Sequence, residues 1–227
     1  MNYNSLFGDS WGPKLQEQIS PKKLKSIFDY LKDQSSQAGN IFPKPEKIFR
    51  CFKECPFNKT MVVFLGTNPY YNDFDLVPDG ILFSAMCRGK LLTNIYRAIE
   101  DNYDTKLREI QKQPDLTLWA HQGVLLLPLD LTMEQGKKKA HIKLWEPFIR
   151  AVISALQKDA PGVIYVLLGQ DSLTHADLID TLNHDMICLE HPVKALLMKR
   201  NWKHKNVFNY LDRVTNMIFN RKINWYD

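Results

Sequence analysis

The chain has 227 residues, of which 44% are hydrophobic and 24% are charged, a composition typical of an ordinary globular protein. No apolar run approaches the roughly 20 residues of a membrane span, and the N-terminus lacks the basic and apolar regions of a secretory signal. The net charge of +5 is mild, and four irregularly spaced cysteines indicate free thiols in a reducing compartment.

The first half of the chain combines helical patterns with one buried strand. The elements predicted there are two short helices within residues 11–36, a short helix at 45–52, a strand at 61–65, an apolar segment at 80–84 and a helix at 92–103. The strand is a continuous apolar run that stops at Gly66, which is typical of a strand buried on both faces. Asn68 and Pro69 then impose a sharp turn, because proline disfavours helical backbone in the residue before it.

The second half of the chain continues the alternation of helices and strands. Its predicted elements are a helix at 116–121, a strand at 124–127, a helix at 145–156, strands at 163–169 and 185–189, and a helix at 206–219. This order predicts an α/β fold in which a central four-stranded, mostly parallel sheet lies between two helical layers. No repeat or long linker divides the sequence, so residues 1–227 are expected to form a single domain.

Each predicted strand ends in a turn that carries polar residues or proline. Asn68 and Pro69 follow the first strand, and His191 and Pro192 follow the last. The two middle strands end at Pro128-Leu-Asp and at Gly169-Gln-Asp. Because the carboxyl ends of parallel strands lie at one edge of a sheet, these four turns are expected to form one site.

Positive charge is concentrated in two segments, residues 137–139 and residues 194–205. One interpretation is solvated surface, which is the usual location of charge runs. The other is a face that binds phosphates. Composition alone leaves both interpretations open.

Eight short motifs resemble the uracil-DNA glycosylase superfamily, and most closely its housekeeping uracil-excising branch. In chain order they are Trp11-Gly-Pro-Lys-Leu, Ile41-Phe-Pro-Lys-Pro-Glu, Val63-Phe-Leu-Gly-Thr-Asn-Pro-Tyr, Gly80-Ile-Leu-Phe-Ser, Gln122-Gly-Val-Leu-Leu-Leu, Trp145-Glu-Pro-Phe, Glu190-His-Pro and Ile223-Asn-Trp. The resemblance implies a four-stranded parallel sheet flanked by helices, in agreement with the predicted elements. It also implies hydrolysis of the N-glycosidic bond of a base flipped out of DNA.

The resemblance carries further expectations about partners and location. The partner is DNA, either a duplex with a flipped base or a single strand, and no membrane is involved. The chemistry needs no metal and no other cofactor. A monomer is expected, located in the cytoplasm or in a nucleoid or viral replication compartment.

The resemblance also implies roles for individual residues. Asn68 matches the catalytic position that handles the attacking water, and His191 matches the donor to O2 of the departing base. Phe83 matches the ring that stacks on the base. The other residues of the implied base pocket are Thr67, Pro69, Tyr70, Tyr71, Pro128 and Asp130.

Two positions depart from the uracil-excising branch. That branch has aspartate where this chain has Asn68, and an amide orients water by hydrogen bonds but carries no charge. The mismatch- and hydroxymethyluracil-directed branches have Gly-x-Asn-Pro here. Pro128 replaces the asparagine that reads the edge of uracil, and losing such a paired readout costs discrimination of up to about 10⁴–10⁵. Asp130 is a different acceptor, suited to an exocyclic amine such as that of cytosine.

Residues 193–200 replace a Ser-Pro-Leu-Ser loop that inserts a leucine into the DNA stack in the family. Leu196 and Leu197 are both candidates for that wedge. Lys194, Lys199 and Arg200 are expected to contact phosphates.

Three functional hypotheses follow. The first is a monofunctional DNA glycosylase for a modified pyrimidine, such as a modified cytosine of phage DNA, acting in antiviral defence. Tyr70 argues against bulky substituents, because it matches the ring that excludes 5-substituted pyrimidines. The second is a catalytically inactive DNA-binding or replication scaffold, and the third and weakest is residual activity on uracil.

Overall fold

The computed structural model describes residues 1–38, 41–68, 70, 76–202 and 206–226. Its α-helices are α1 (Tyr3–Phe7), α2 (Gly12–Gln18), α3 (Pro21–Ala38), α4 (Arg50–Glu54), α5 (Lys90–Tyr103), α6 (Thr117–His121), α7 (Ile142–Asp159), α8 (Gln170–Leu173), α9 (Pro192–Leu197) and α10 (Val207–Phe219). Its strands are β1 (Ile41–Phe42), β2 (Val62–Gly66), β3 (Val124–Pro128), β4 (Met133–Glu134), β5 (Ile164–Leu168) and β6 (Asp185–Leu189). None of the helices in these ranges is long and apolar enough to cross a membrane.

The central sheet has four strands in the order β3-β2-β5-β6, and all its pairs are parallel. Strands β2, β3 and β5 are buried at every residue, which explains their continuous apolar sequences. Helices flank this sheet in a three-layer α/β/α arrangement, so the predicted fold class is confirmed. Gly66 at the end of β2 pairs with Pro128 at the end of β3. The register therefore brings the turns that follow these two strands side by side.

Five of these short helices and strands were not predicted from the sequence. Helices α1 and α8 have five and four residues, and β1 pairs with β4 in a two-residue antiparallel ladder. Segments this short carry too little hydrophobic periodicity to be recognised. The fifth is α9, which occupies most of the segment predicted as a loop. Pro192 is the first residue of α9. The backbone N–H that proline lacks would have no partner within the helix at this position, so the proline costs the helix no hydrogen bond.

Candidate active site

The strand ends meet at one edge of the central sheet, where the ends of β2, β5 and β6 border a cavity of about 520 Å³, here called the strand-end cavity. Its wall includes Thr67, Asn68, Lys138, Lys139, Gly169, Gln170, Asp171, Cys188, Glu190, His191, Val193, Lys194 and Leu197. These residues come from the turn after β2, from Gly169 and the start of α8, from the end of β6 and the turn after it, from α9, and from the loop before α7. The cavity thus joins the two candidate catalytic residues to part of the basic segments.

Asn68 lies in a turn that its own side chain holds. Its Oδ1 atom accepts a hydrogen bond from the backbone N–H of Tyr70 at 3.2 Å. Its backbone N–H donates to Oδ1 of Asp130 at 2.7 Å. The conformation of the turn is therefore fixed from two sides, and among the described residues the Nδ2 donor of Asn68 has no hydrogen-bond partner.

His191 lies at the end of β6 and caps α9. Its Nδ1 atom accepts a hydrogen bond from the backbone N–H of Val193 at 3.2 Å, and its Nε2 atom lies 3.1 Å from the carbonyl oxygen of Thr67. A carbonyl only accepts, so Nε2 carries the proton in a neutral ring. Burial lowers the pKa of His191 to about 4, against the partial opposition of the Thr67 carbonyl. The imidazole is therefore neutral at pH 7 and has one N–H to donate.

Two glycines leave the space that the side chain of His191 occupies. A Cβ atom at Gly66 would lie 3.3 Å from Cδ2 and Nε2 of His191, and one at Gly169 would lie 3.0 Å from its Cβ. Gly169 also has a φ of 77°, which L side chains rarely adopt. A side chain at either position would therefore crowd His191.

Phe83 contacts the His191 ring edge-on, with ring centroids 5.7 Å apart. Its backbone has a φ of 69°, an uncommon and strained conformation for a bulky residue. The buried Tyr70 hydroxyl donates to the carbonyl oxygen of Phe83. The strained turn is thus tied to the Asn68 turn, and the Phe83 ring is placed beside the imidazole.

A partly buried ionic network holds the turn of Phe83 from the other side. Asp79 accepts hydrogen bonds from the Ser84 hydroxyl at 2.8 Å and from the backbone N–H of Ile81 at 3.2 Å. Arg50 lies 2.5 Å from Asp79 and 2.8 Å from Asp115. Burial raises the pKa of Asp79, while Ser84 and Arg50 favour its charged form. Two aspartates and one arginine therefore fix the backbone that presents Phe83.

Pro128 and Asp130 lie behind the Asn68 turn and are not among the residues that border the strand-end cavity. Pro128 is buried in β3, and the following N–H, of Leu129, donates to the carbonyl oxygen of Gly66 at 2.8 Å. Asp130 is only 2% exposed, and its side-chain Oδ1 atom accepts the backbone N–H of Asn68. The structure thus places Asp130 where it supports the turn, and its predicted role in reading a base stays a prediction.

Helix α9 separates the two candidate leucines. Leu196 is half-buried and packs against the core, whereas the Leu197 side chain is 73% exposed and borders the strand-end cavity. Lys194 also borders the cavity, and Lys199 is exposed beyond the end of the helix. The structure therefore places Leu197, and not Leu196, on the open side of α9.

Several residues of the cavity were missed as site residues. Glu190 lies 2.5 Å from Arg200 and 3.5 Å from Lys194, so it partly neutralises two of the residues expected to contact phosphates. Lys139 forms an ion pair with Asp171 at 2.5 Å across the cavity wall, and Lys138 is exposed next to it. The triple-lysine run and the polar turn after β5 were visible in the sequence, but their contact depends on the fold.

Part of the expected site lies outside the described residues. This holds for Pro69 and Tyr71, for residues 72–75 of the polar loop and for residues 203–205 of the second basic segment. Within the described part of the chain, no group of three or more histidine, cysteine, aspartate or glutamate side chains is arranged to hold a metal ion.

Comparison with known proteins places this chain in a family. The model of the uracil DNA glycosylase superfamily matches residues 52–212. The chain is 34% identical over 218 residues to a uracil-DNA glycosylase of Aliivibrio fischeri, covering 91% of this chain and 94% of that protein. It is 30% identical over 223 residues to that of Aliivibrio salmonicida, covering 95% and 96%. A point variant of mimivirus UNG, solved in complex with UGI, superposes with a TM-score of 0.84 at 22% identity, covering 98% of this chain and 89% of that one.

Proposed function

The chain belongs to the uracil DNA glycosylase superfamily, and from this membership we propose that it is a monofunctional DNA glycosylase. It hydrolyses the N-glycosidic bond of a pyrimidine flipped out of DNA and leaves an abasic site. The observation that carries the proposal is the meeting of Asn68, Phe83 and the neutral His191 at one edge of the sheet. A water-orienting amide, a stacking ring and a hydrogen-bond donor are the groups that this hydrolysis needs.

The geometry suggests how the bond is broken. As the bond between C1′ and the base nitrogen breaks, its electron pair leaves with the base, and negative charge develops on O2. The Nε2–H of His191 stabilises that charge after exchanging the Thr67 carbonyl for the base as its acceptor. A water oriented by Asn68 forms the new bond to C1′. The water releases a proton to solvent, and the departing base anion takes one up.

The DNA is held by the open side of α9. Leu197 enters the base stack and fills the space left by the flipped nucleotide, since its side chain is exposed beside the strand-end cavity. Lys194, Lys199 and Arg200 contact phosphates. Glu190 holds Arg200 and Lys194 near the cavity and moderates their charge.

Uracil is the first base to test, because the relatives at 30–34% identity are named uracil-DNA glycosylases. A modified pyrimidine, such as a modified cytosine of phage DNA, is the second candidate, and antiviral defence would be the setting for that activity. Pro128 favours this second candidate, because proline has neither a side-chain donor nor an acceptor with which to recognise uracil.

The test is abasic-site formation on matched DNA substrates. Duplexes and single strands carrying uracil, 5-substituted uracils, cytosine and modified cytosines are incubated with the protein, and abasic sites are cleaved with alkali. We expect cleavage of at least one substrate, strongly reduced in the variants Asn68→Ala and His191→Ala. If the wild-type protein leaves every substrate intact, including hypermodified phage DNA, while still binding DNA, it is an inactive DNA-binding scaffold and the proposal is wrong.

A further inference from the structure

Three carboxylates lie at or directly behind the edge where the strands end, and they differ in their partners. Asp171 is paired with Lys139 at 2.5 Å. Glu190 is paired with Arg200 at 2.5 Å and with Lys194 at 3.5 Å. Asp130 forms no ion pair with any described residue, although it is by far the most buried of the three. A negative charge on Asp130 is thus the one that no direct contact with a cation compensates.

A hydrogen bond places the carboxylate of Asp130 next to the backbone of Asn68. Its Oδ1 atom accepts the backbone N–H of Asn68 at 2.7 Å, and the backbone N–H of Asp130 itself also favours its charged form. Asp171 and Lys139 are the charged groups that act on it from the neighbouring elements, with opposite signs. Because these two form an ion pair with each other, their fields largely cancel.

We infer that Asp130, in its ionised form, is a positioning residue that holds the Asn68 turn and supplies the negative charge of the reaction centre. This inference rests on the proposed glycosylase activity. Breaking an N-glycosidic bond leaves positive charge on the deoxyribose, and the amide of Asn68 has no net charge with which to stabilise it. A buried carboxylate directly behind Asn68 acts through a medium that screens poorly, so its charge favours that transition state.

The titration of Asp130 supports this role. Burial raises the pKa of Asp130 to about 7, while the Asn68 N–H opposes the rise. The charge is therefore present above pH 7 and is lost below it. His191 does not titrate in the same range, since its pKa is about 4. A residue that served only as a hydrogen-bond acceptor would work equally well when protonated or when replaced by asparagine.

The experiment compares the pH dependence of single-turnover rates in wild type, Asp130→Asn and a control. The amide introduced by Asp130→Asn keeps an acceptor for the Asn68 N–H but cannot ionise. We expect the wild-type rate to rise through a single ionisation near pH 7. Asp130→Asn should be slower by about 10- to 100-fold at pH 8, with KM nearly unchanged and no inflection near pH 7.

The control is Asp212→Asn, because Asp212 is a second aspartate, itself half-buried, whose pKa is also raised by burial. Its carboxylate accepts hydrogen bonds from Nε1 of Trp225 at 2.9 Å and from the hydroxyl of Tyr103, away from the cavity. Its pH profile should match that of wild type. An Asp130→Asn enzyme with the wild-type rate and profile would overturn the inference and leave the glycosylase activity standing.

Two further outcomes are decisive without the variant. If Asp130→Asn does not fold, a wild-type rate that is flat between pH 6 and 8 overturns the inference by itself. A wild-type protein without activity on any substrate overturns the proposed function, and the inference that rests on it falls at the same time. The two failures are therefore distinguishable by the wild-type activity alone.

Discussion

The strand-end edge and the aromatic cluster both contain buried side chains, but the chemistry of those side chains differs. The aromatic cluster consists of Phe7, Trp11, Phe49, Phe52, Trp145 and Phe148, and each of its rings contacts another ring. Its two indole N–H groups donate to Cys55 O at 2.8 Å and Thr132 Oγ1 at 2.7 Å. The cluster thus leaves neither indole N–H unpaired.

The strand-end edge instead contains groups that burial destabilises. Asp130 has a raised pKa, His191 has a lowered pKa, and Phe83 adopts a backbone conformation that is strained for its size. The comparison indicates that the aromatic cluster stabilises the fold and offsets the destabilising groups at the strand-end edge. Changes in the cluster should therefore alter stability alone, and changes at the edge should alter activity with little loss of stability.

The largest effect on stability is expected from Phe148→Ala in the aromatic cluster. Phe148 is fully buried and stacks on Phe7 at 5.4 Å, so its removal leaves a cavity. The free energy of unfolding should fall by about 3–5 kcal/mol, measured by urea denaturation. The single-turnover rate of the molecules that stay folded should not change. Leu182→Ala, on an exposed loop, is the control and should shift stability by less than about 0.5 kcal/mol.

The largest effect on activity is expected from His191→Ala at the strand-end edge. Removing His191, the proposed donor to the departing base, should slow single-turnover cleavage by about 10²–10³-fold. The free energy of unfolding at pH 7 should change little, because burial disfavours only the charged form of the imidazole and the ring is neutral at this pH. His121→Ala, which removes an exposed histidine paired with Glu54, should keep full activity. A large loss of stability without loss of rate in His191→Ala would contradict the comparison.

A smaller effect on stability is expected from Asp130→Asn, and it has the opposite sign to that of Phe148→Ala. The pKa of Asp130 is higher in the folded than in the unfolded protein, so its contribution to stability is complete below about pH 4 and is lost as the pH rises to about 7. The variant should therefore gain on wild type across this range, by at most about 4 kcal/mol, and the difference should be constant above it. Thermal unfolding at several pH values measures this, and a difference independent of pH would contradict the raised pKa.

The smallest effect is expected from the two leucines of α9. Leu197→Ala should slow cleavage of duplex substrates by about 10-fold and leave single-stranded substrates unaffected, because only a duplex must be unstacked. Leu196→Ala should lower stability through lost packing, without changing the ratio of duplex to single-strand rates. The reverse pattern would show that Leu196 is the wedge.

The sequence by itself determined the fold class and the edge at which the candidate site lies. Continuous apolar runs separated by helical patterns permit few arrangements other than a parallel sheet covered on both faces. The carboxyl ends of such strands meet at one edge, so the sequence predicts that Asn68 and His191 are neighbours. Both residues border the same cavity.

Only the tertiary structure decided which side chains support those two residues. The bond between Asp130 and Asn68 joins positions 62 residues apart and depends on the register of β2 against β3. The sequence predicts a loop where the structure has α9. The orientation of this helix about its own axis decides that Leu197 is exposed and that Leu196 packs against the core. Pattern and composition describe what each segment prefers alone, whereas register and rotation are set when distant segments pack together.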